Sequence, residues 1–132
     1  MEISRETKVL YFSELKIYDY IVKIDNYEEI LGDEIKNFEK LTDKSFKIKI
    51  GSLPNISLFL EESKEEFCVK LKSSDVNMNF SIIINVNSIY DNSSKVNVNF
   101  VGKFSTMIEM MLKNPLEKFI DSLKNKLESL NF

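Results

Sequence analysis

Any chemistry in this chain has to run on carboxylates, lysines, tyrosines or one thiol, because 18 basic and 21 acidic residues are accompanied by no histidine. That removes the commonest general base and the commonest metal ligand. The adjacent carboxylates Glu28/Glu29, Glu61/Glu62 and Glu65/Glu66 have the residue types of an acid/base dyad. They flank turns or a helix start, however, where solvated charge is the far commoner role. Tyr18 and Tyr27 offer hydroxyls to the edge of an apolar site, or are core tyrosines with satisfied hydroxyls. Cys68 is the single cysteine, so no disulfide framework or thiolate cluster forms. It alternates out of phase with Phe67 and Val69 and has no partner for nucleophilic chemistry nearby in sequence. No catalytic residue, metal site or cofactor is expected.

Composition narrows the partners. The formal net charge is −3, and Arg5 is the only arginine, whereas a phosphate-backbone binder carries a clustered positive field. Lys47, Lys49, Lys70 and Lys72 alternate onto one sheet face among asparagines and serines, where they confer solubility and protect edges. No nucleic-acid partner is expected. Alanine, glutamine and tryptophan are absent while lysine, asparagine and isoleucine abound, which reflects codon bias and not mechanism. The N-terminus lacks a basic stretch followed by an apolar one, so the expectation is a cytoplasmic protein without a secretory signal. Apolar runs such as Ile82-Ile83-Ile84 fall far short of the roughly 20 residues of a membrane-spanning helix. Asn55, Asn79 and Asn92 begin glycosylation triplets by chance in an asparagine-rich chain.

The elements that would position a site follow from hydrophobic period. A chain of 132 residues fits one domain, residues 1–132, with one core. Lys8–Phe12 reads as a first strand ending at Ser13, a helix cap. Leu15, Ile17, Tyr18, Ile21, Val22 and Ile24 predict a helix from Glu14 to about Ile24. Asn26 is placed to cap a short second helix carrying Tyr27, Ile30 and Leu31, which Gly32 stops. Glu34–Leu41 fits a helix by the spacing of Ile35, Phe38 and Leu41, or a strand by the turn at Thr42-Asp43-Lys44; strand is favoured.

From there alternation is clear. Phe46, Ile48 and Ile50 share one face; Gly51-Ser-Leu-Pro54 breaks the strand; Ile56, Leu58 and Leu60 resume it. Ser63-Lys64-Glu65 turns into Phe67, Val69 and Leu71. Val76, Met78, Phe80, Ile82, Ile84 and Val86 form the longest apolar face, and Asp91-Asn-Ser-Ser94 turns into Val96, Val98 and Phe100. Gly102 ends that strand.

The tail from Phe104 to Phe132 is an amphipathic helix, with Leu112, Leu116, Phe119, Ile120, Leu123, Leu127 and Leu130 on one side. Within it Asn114-Pro115-Leu116-Glu117 has the layout of a capping box with proline at the first helical position. A kink or restart is therefore predicted near Asn114, with Thr106–Lys113 as a shorter lead-in.

The order strand, two helices, about six antiparallel strands and a long terminal helix resembles the helix-grip fold of the START-like, or SRPBCC, superfamily. The stretch from Ser13 to Leu31 is similar to that family's capped first helix running into a short second one. The stretch from Met111 to Leu127, with Pro115, is similar to the terminal helix of small bacterial members of the Bacteroidetes type. The resemblance implies an α+β fold, with a curved antiparallel sheet of about seven strands wrapped around the C-terminal helix. It also implies a cavity between sheet and helix, used in the family for lipids, sterols, polyketides, hormones or aromatic substrates.

The candidate lining is Phe46, Ile48, Leu58, Leu60, Val69, Phe80, Ile82, Val98 and Phe100 from the strands, with Met107, Met111, Leu112, Leu116 and Phe119 from the tail. Apolar, methionine-bearing surfaces of this kind bind hydrophobic molecules, and the same residues equally make an ordinary core. The expected function is binding of a small hydrophobic ligand without catalysis. The alternatives are a cyclase- or hydratase-type enzyme, which needs a buried ionisable group, and a closed-core interaction module, which has no ligand-sized void.

Overall fold

The structure is a computed structural model that spans residues 1–132 and describes all of them except Asp33, Lys64, Val76 and Asn77. Its elements are β1 (Glu2–Glu6), α1 (Glu14–Ile21), a 3-10 turn (Ile24–Asn26), α2 (Tyr27–Ile30), β2 (Ile35–Thr42), β3 (Ser45–Ile50), β4 (Asn55–Glu62), β5 (Cys68–Ser73), β6 (Phe80–Tyr90), β7 (Ser93–Gly102) and α3 (Thr106–Glu128). The seven strands form one antiparallel sheet in the order β1-β7-β6-β5-β4-β3-β2. Strands β2 to β7 are a meander, and β1 closes the far edge beside β7.

Alternation sets the register, as a half-buried strand requires. Ile82 faces Phe100, Ile84 faces Val98 and Val86 faces Val96 across β6 and β7. Val69 and Leu71 of β5 continue the same apolar layer against Ile84 and Ile82, and Phe46 meets Leu58 across β3 and β4. Helix α3 lies on that layer through Leu112, Leu116, Phe119, Ile120, Leu123 and Leu127, all buried. Tyr27 of α2 is buried too, stacked on Phe46 at 5.4 Å between ring centroids. Val76, read as the start of the β6 apolar face, lies outside the described residues, as does Lys64 of the predicted turn.

Strand β2 explains its own ambiguous sequence. Asn37 takes a left-handed φ of 57°, and the register against β3 shifts between Lys36 and Glu39. This irregularity makes Ile35 and Phe38, three apart, both pack on the core. A helix-like spacing thus arises in a strand. Leu41, after a second shift, faces solvent.

Four expectations need correction. The first strand is Glu2–Glu6, not Lys8–Phe12. Lys8–Phe12 leaves the sheet edge and pairs with it at Leu10, which exchanges two backbone hydrogen bonds with Ser94 at 2.7 and 2.8 Å, while Ser94 Oγ donates to the Phe12 carbonyl at 2.9 Å. Helix α1 is capped by Ser13 as expected, whose Oγ accepts from Lys16 N. It ends at Ile21, three residues early, and Leu15 is exposed. Asn26 does not cap α2: its side-chain amide donates backwards to the Tyr20 carbonyl at 2.8 Å. Finally, α3 neither restarts nor takes a cap at Asn114. Ser105 is the cap, accepting from Ile108 N at 3.3 Å, and the helix runs unbroken through Pro115. Leu112 and Leu116, four apart and both buried, hold the two sides of the proline on one surface.

Candidate ligand-binding region

Sheet and α3 bring together all of the predicted lining except two methionines. Phe46, Ile48, Leu58, Leu60, Val69, Phe80, Ile82, Val98, Phe100, Leu112, Leu116 and Phe119 are each at most 4% exposed and belong to one apolar cluster. Phe80 stacks on Phe100 at 5.0 Å, and Phe104 continues the stack at 6.5 Å. Gly102 makes room for that last ring, because a Cβ there would lie 2.6 Å from Phe104 Cε2. The two facing surfaces touch, and in this conformation the region is filled by its own side chains.

Met107 and Met111 lie elsewhere, 74% and 70% exposed, with Met110 at 79%. Leu112 is the first fully buried residue of α3, so the helix's opening turns carry apolar side chains with little packed against them. Met107 and Met111 sit four apart as core residues do, but on another face: at about 100° per residue they lie well around the helix from the stripe that holds Leu112, Leu116, Phe119 and Leu123, and so point away from the sheet. Helical phase counted from Leu112 and Leu116 is the sequence signal that separates them.

Burial raises the pKa of Tyr18, of Tyr27 and of the Cys68 thiol. Burial pushes the Tyr27 hydroxyl far above its ordinary range, and it donates to the Ile21 carbonyl. Tyr27 is thus a satisfied core tyrosine and not a hydroxyl at a cavity edge. Burial chiefly pushes the Cys68 thiol up, with a smaller opposing contribution from its hydrogen bond with Ser63. Tyr18, edge-on to Phe67 at 5.7 Å, is raised first by burial and then by the charges of Glu62, Cys68 and Asp19. Phe67 itself has a φ of 56°, a conformation unusual for a bulky residue. Among the described residues no three His, Cys, Asp or Glu side chains gather as metal ligands.

The described clefts are on the outside, and none is lined by the predicted residues. One of about 360 Å³ runs between β1 and the first half of α3, past Glu109, Met110 and Lys113. A second, about 520 Å³, opens between Lys8–Phe12 and the last turn of α3. A third, about 440 Å³, separates Glu14 and Leu15 from the β6–β7 turn. Among the described residues no helix is long and apolar enough to cross a membrane.

No protein-family model and no curated protein matches the sequence. Solved structures do match the backbone. A START superfamily protein from Mycobacterium smegmatis superposes with a TM-score of 0.69 at 13% identity, over 98% of this chain and 99% of that one. The chain has the START-like helix-grip fold. Norcoclaurine synthase from Thalictrum flavum, in complex with dopamine and hydroxybenzaldehyde, gives 0.71 at 10% identity over 100% of this chain and 88% of that one. XoxI from Bacillus cereus gives 0.73 at 13%, over 97% and 93%. These structures share this chain's overall backbone fold at identities that carry a scaffold and no assigned chemistry.

Proposed function

We propose that this protein is a non-enzymatic carrier that binds a small hydrophobic molecule, lipid-, polyketide- or aromatic-like, between the concave sheet face and α3. The observation that supports it is the contrast within α3. A largely apolar inner surface meets a helix whose clamp, Leu116 to Leu127, buries Leu116, Phe119, Ile120, Leu123 and Leu127, while its lead-in, Met107 to Met111, buries no side chain. A START-like neighbour that holds dopamine and hydroxybenzaldehyde is consistent with an aromatic ligand. The conformation described is the closed one, so uptake draws on a minor open state in which the lead-in and Phe104 move off Phe100. If the open state is about 1% populated, the apparent affinity is about a hundredfold weaker than the intrinsic one.

A second reading, the closed-core interaction module, is favoured by the complete burial of the inner residues. The enzyme reading would rest on Tyr27, which stays protonated and committed to Ile21. Native mass spectrometry of protein purified from its own host, with solvent extraction of anything bound, tests the carrier. A co-purifying apolar molecule, together with protection of the α3 lead-in from hydrogen exchange, is the expected result. A clean apo mass and no change in exchange on adding hydrophobic ligands would favour the closed module.

A further inference from the structure

The largest of the described clefts is far from the sheet–helix interior, and its walls have a chemistry of their own. Val9, Leu10, Tyr11 and Phe12 line one side and Leu130 the other, around a space of about 520 Å³, within the range of small-molecule sites. Its floor is fixed: Leu10 is buried and tied to Ser94 by both backbone hydrogen bonds. So is one wall. The Phe12 ring meets Phe132 edge-on at 4.8 Å, and the Lys16 ammonium lies over it at 5.9 Å. A floor and a wall already held in place lower the ordering cost of filling the site.

The charges at this cleft are unevenly spent. Glu128 Oε2 accepts the Lys8 backbone N–H at 2.8 Å and also faces Lys124 Nζ at 3.6 Å. The closing carbonyls of α3 are taken as well, since Ser129 N bonds Lys126 O, Leu130 N bonds Leu127 O, and Ser129 Oγ bonds Asn125 O. The Lys8 ammonium has no carboxylate partner among the described residues. Lys8 and Glu128 are the charged residues that line the cleft, and with Glu128 engaged by the Lys8 amide and by Lys124, the Lys8 ammonium is the charge left to meet a ligand.

We propose that this cleft is a second binding site, for a small amphipathic monoanion such as an alkyl or aryl carboxylate. The apolar body lies among Val9, Tyr11, Phe12 and Leu130, and the carboxylate meets Lys8. The segment that sequence alone reads as a strand is here the wall of a groove: Leu10 pins it to the sheet, and Val9, Tyr11 and Phe12 are left to line the cleft.

Titration of the intact protein with hexanoate, followed by amide NMR shifts, tests this, with hexanol as the neutral match. Saturable shifts at Lys8–Phe12 and Glu128–Leu130 are expected. Binding should be about two- to fivefold weaker for hexanol and for Lys8→Gln, the scale of an exposed ion pair. The hexanoate preference should fade at high salt. Leu130→Asn, checked for folding by its far-ultraviolet spectrum, should weaken both probes alike. Equal binding of hexanol and hexanoate overturns the anion assignment, and no saturable shift at these amides overturns the site. Shifts confined to Phe46, Phe100 and Phe119 would also overturn it, while supporting the interior carrier site, so the two readings fail separately.

Discussion

Gly32 leaves open the space that Ser122 of α3 occupies: a Cβ on Gly32 would overlap Ser122 Oγ, and the Gly32 backbone has a φ of 82°. The stop of α2 and the middle of α3 are therefore fitted to each other. Gly32→Ala is expected to destabilise the protein by about 1–3 kcal/mol through strain and overlap together. Ser122→Ala should recover only the overlap part. Chemical denaturation of the two single variants and the double variant measures the coupling.

Phe119 and Met107 both carried the prediction of lining a cavity, and their environments are opposite. Phe119→Ala should cost about 3–5 kcal/mol, whereas Met107→Ala and Met111→Ala should each fall within about 0.5 kcal/mol of the parent. Equal losses at Phe119 and Met107 in urea titrations would contradict the placement of the lead-in.

Tyr27 makes stability depend on alkaline pH. Its folded pKa is raised above the unfolded value of 10.0, so above that pH the unfolded chain loses a proton that the folded chain keeps. Stability is fully present below pH 10 and falls above it, by up to about 1.4 kcal/mol per pH unit. Cys68, raised from 9.0, adds a smaller effect in the same direction. Tyr27→Phe should flatten the slope while lowering stability at neutral pH by about 1–3 kcal/mol, because the buried Ile21 carbonyl loses its donor. Denaturation curves across the alkaline range check both.

Arg5, the only arginine, reaches from β1 to α3, where its Nε lies 2.6 Å from Asp121 Oδ1. The pair is substantially exposed, so Asp121→Asn should cost only about 0.2–1 kcal/mol, and less at high salt. A larger loss would mean that β1 is held to the helix mainly by charge and not by Ile3.

The strands that were legible in sequence are those with a sustained period of two, β3 to β7, where three or more apolar residues alternate onto the inner face of most strands and the exceptions, Ser73 and Ser94, fall at strand ends. Strand β1 was not, because its inner face holds one buried apolar residue, Ile3, followed by Arg5, whose charge is met by Asp121 on α3. Lys8–Phe12 looked more strand-like because strand propensity records a fit to half-buried surfaces, which a groove wall shares. The middle of α3 departs from expectation for a similar reason. Asn114-Pro115 has the local chemistry of a helix start, yet Leu112 and Leu116 on one apolar surface outweigh the missing amide. The interior residues were found correctly as inward-facing; whether they part for a ligand depends on how tightly they pack, which residue type does not encode.

Pro115 has no amide to return to the Met111 carbonyl, and it stands where the exposed stretch of α3 gives way to the buried one. The two stretches thus need not melt together. Amides from Ile108 to Asn114 should exchange by local fraying that is insensitive to denaturant, while those from Phe119 to Leu127 exchange only with global unfolding. The fold would then visit its open form many times for each time it comes apart.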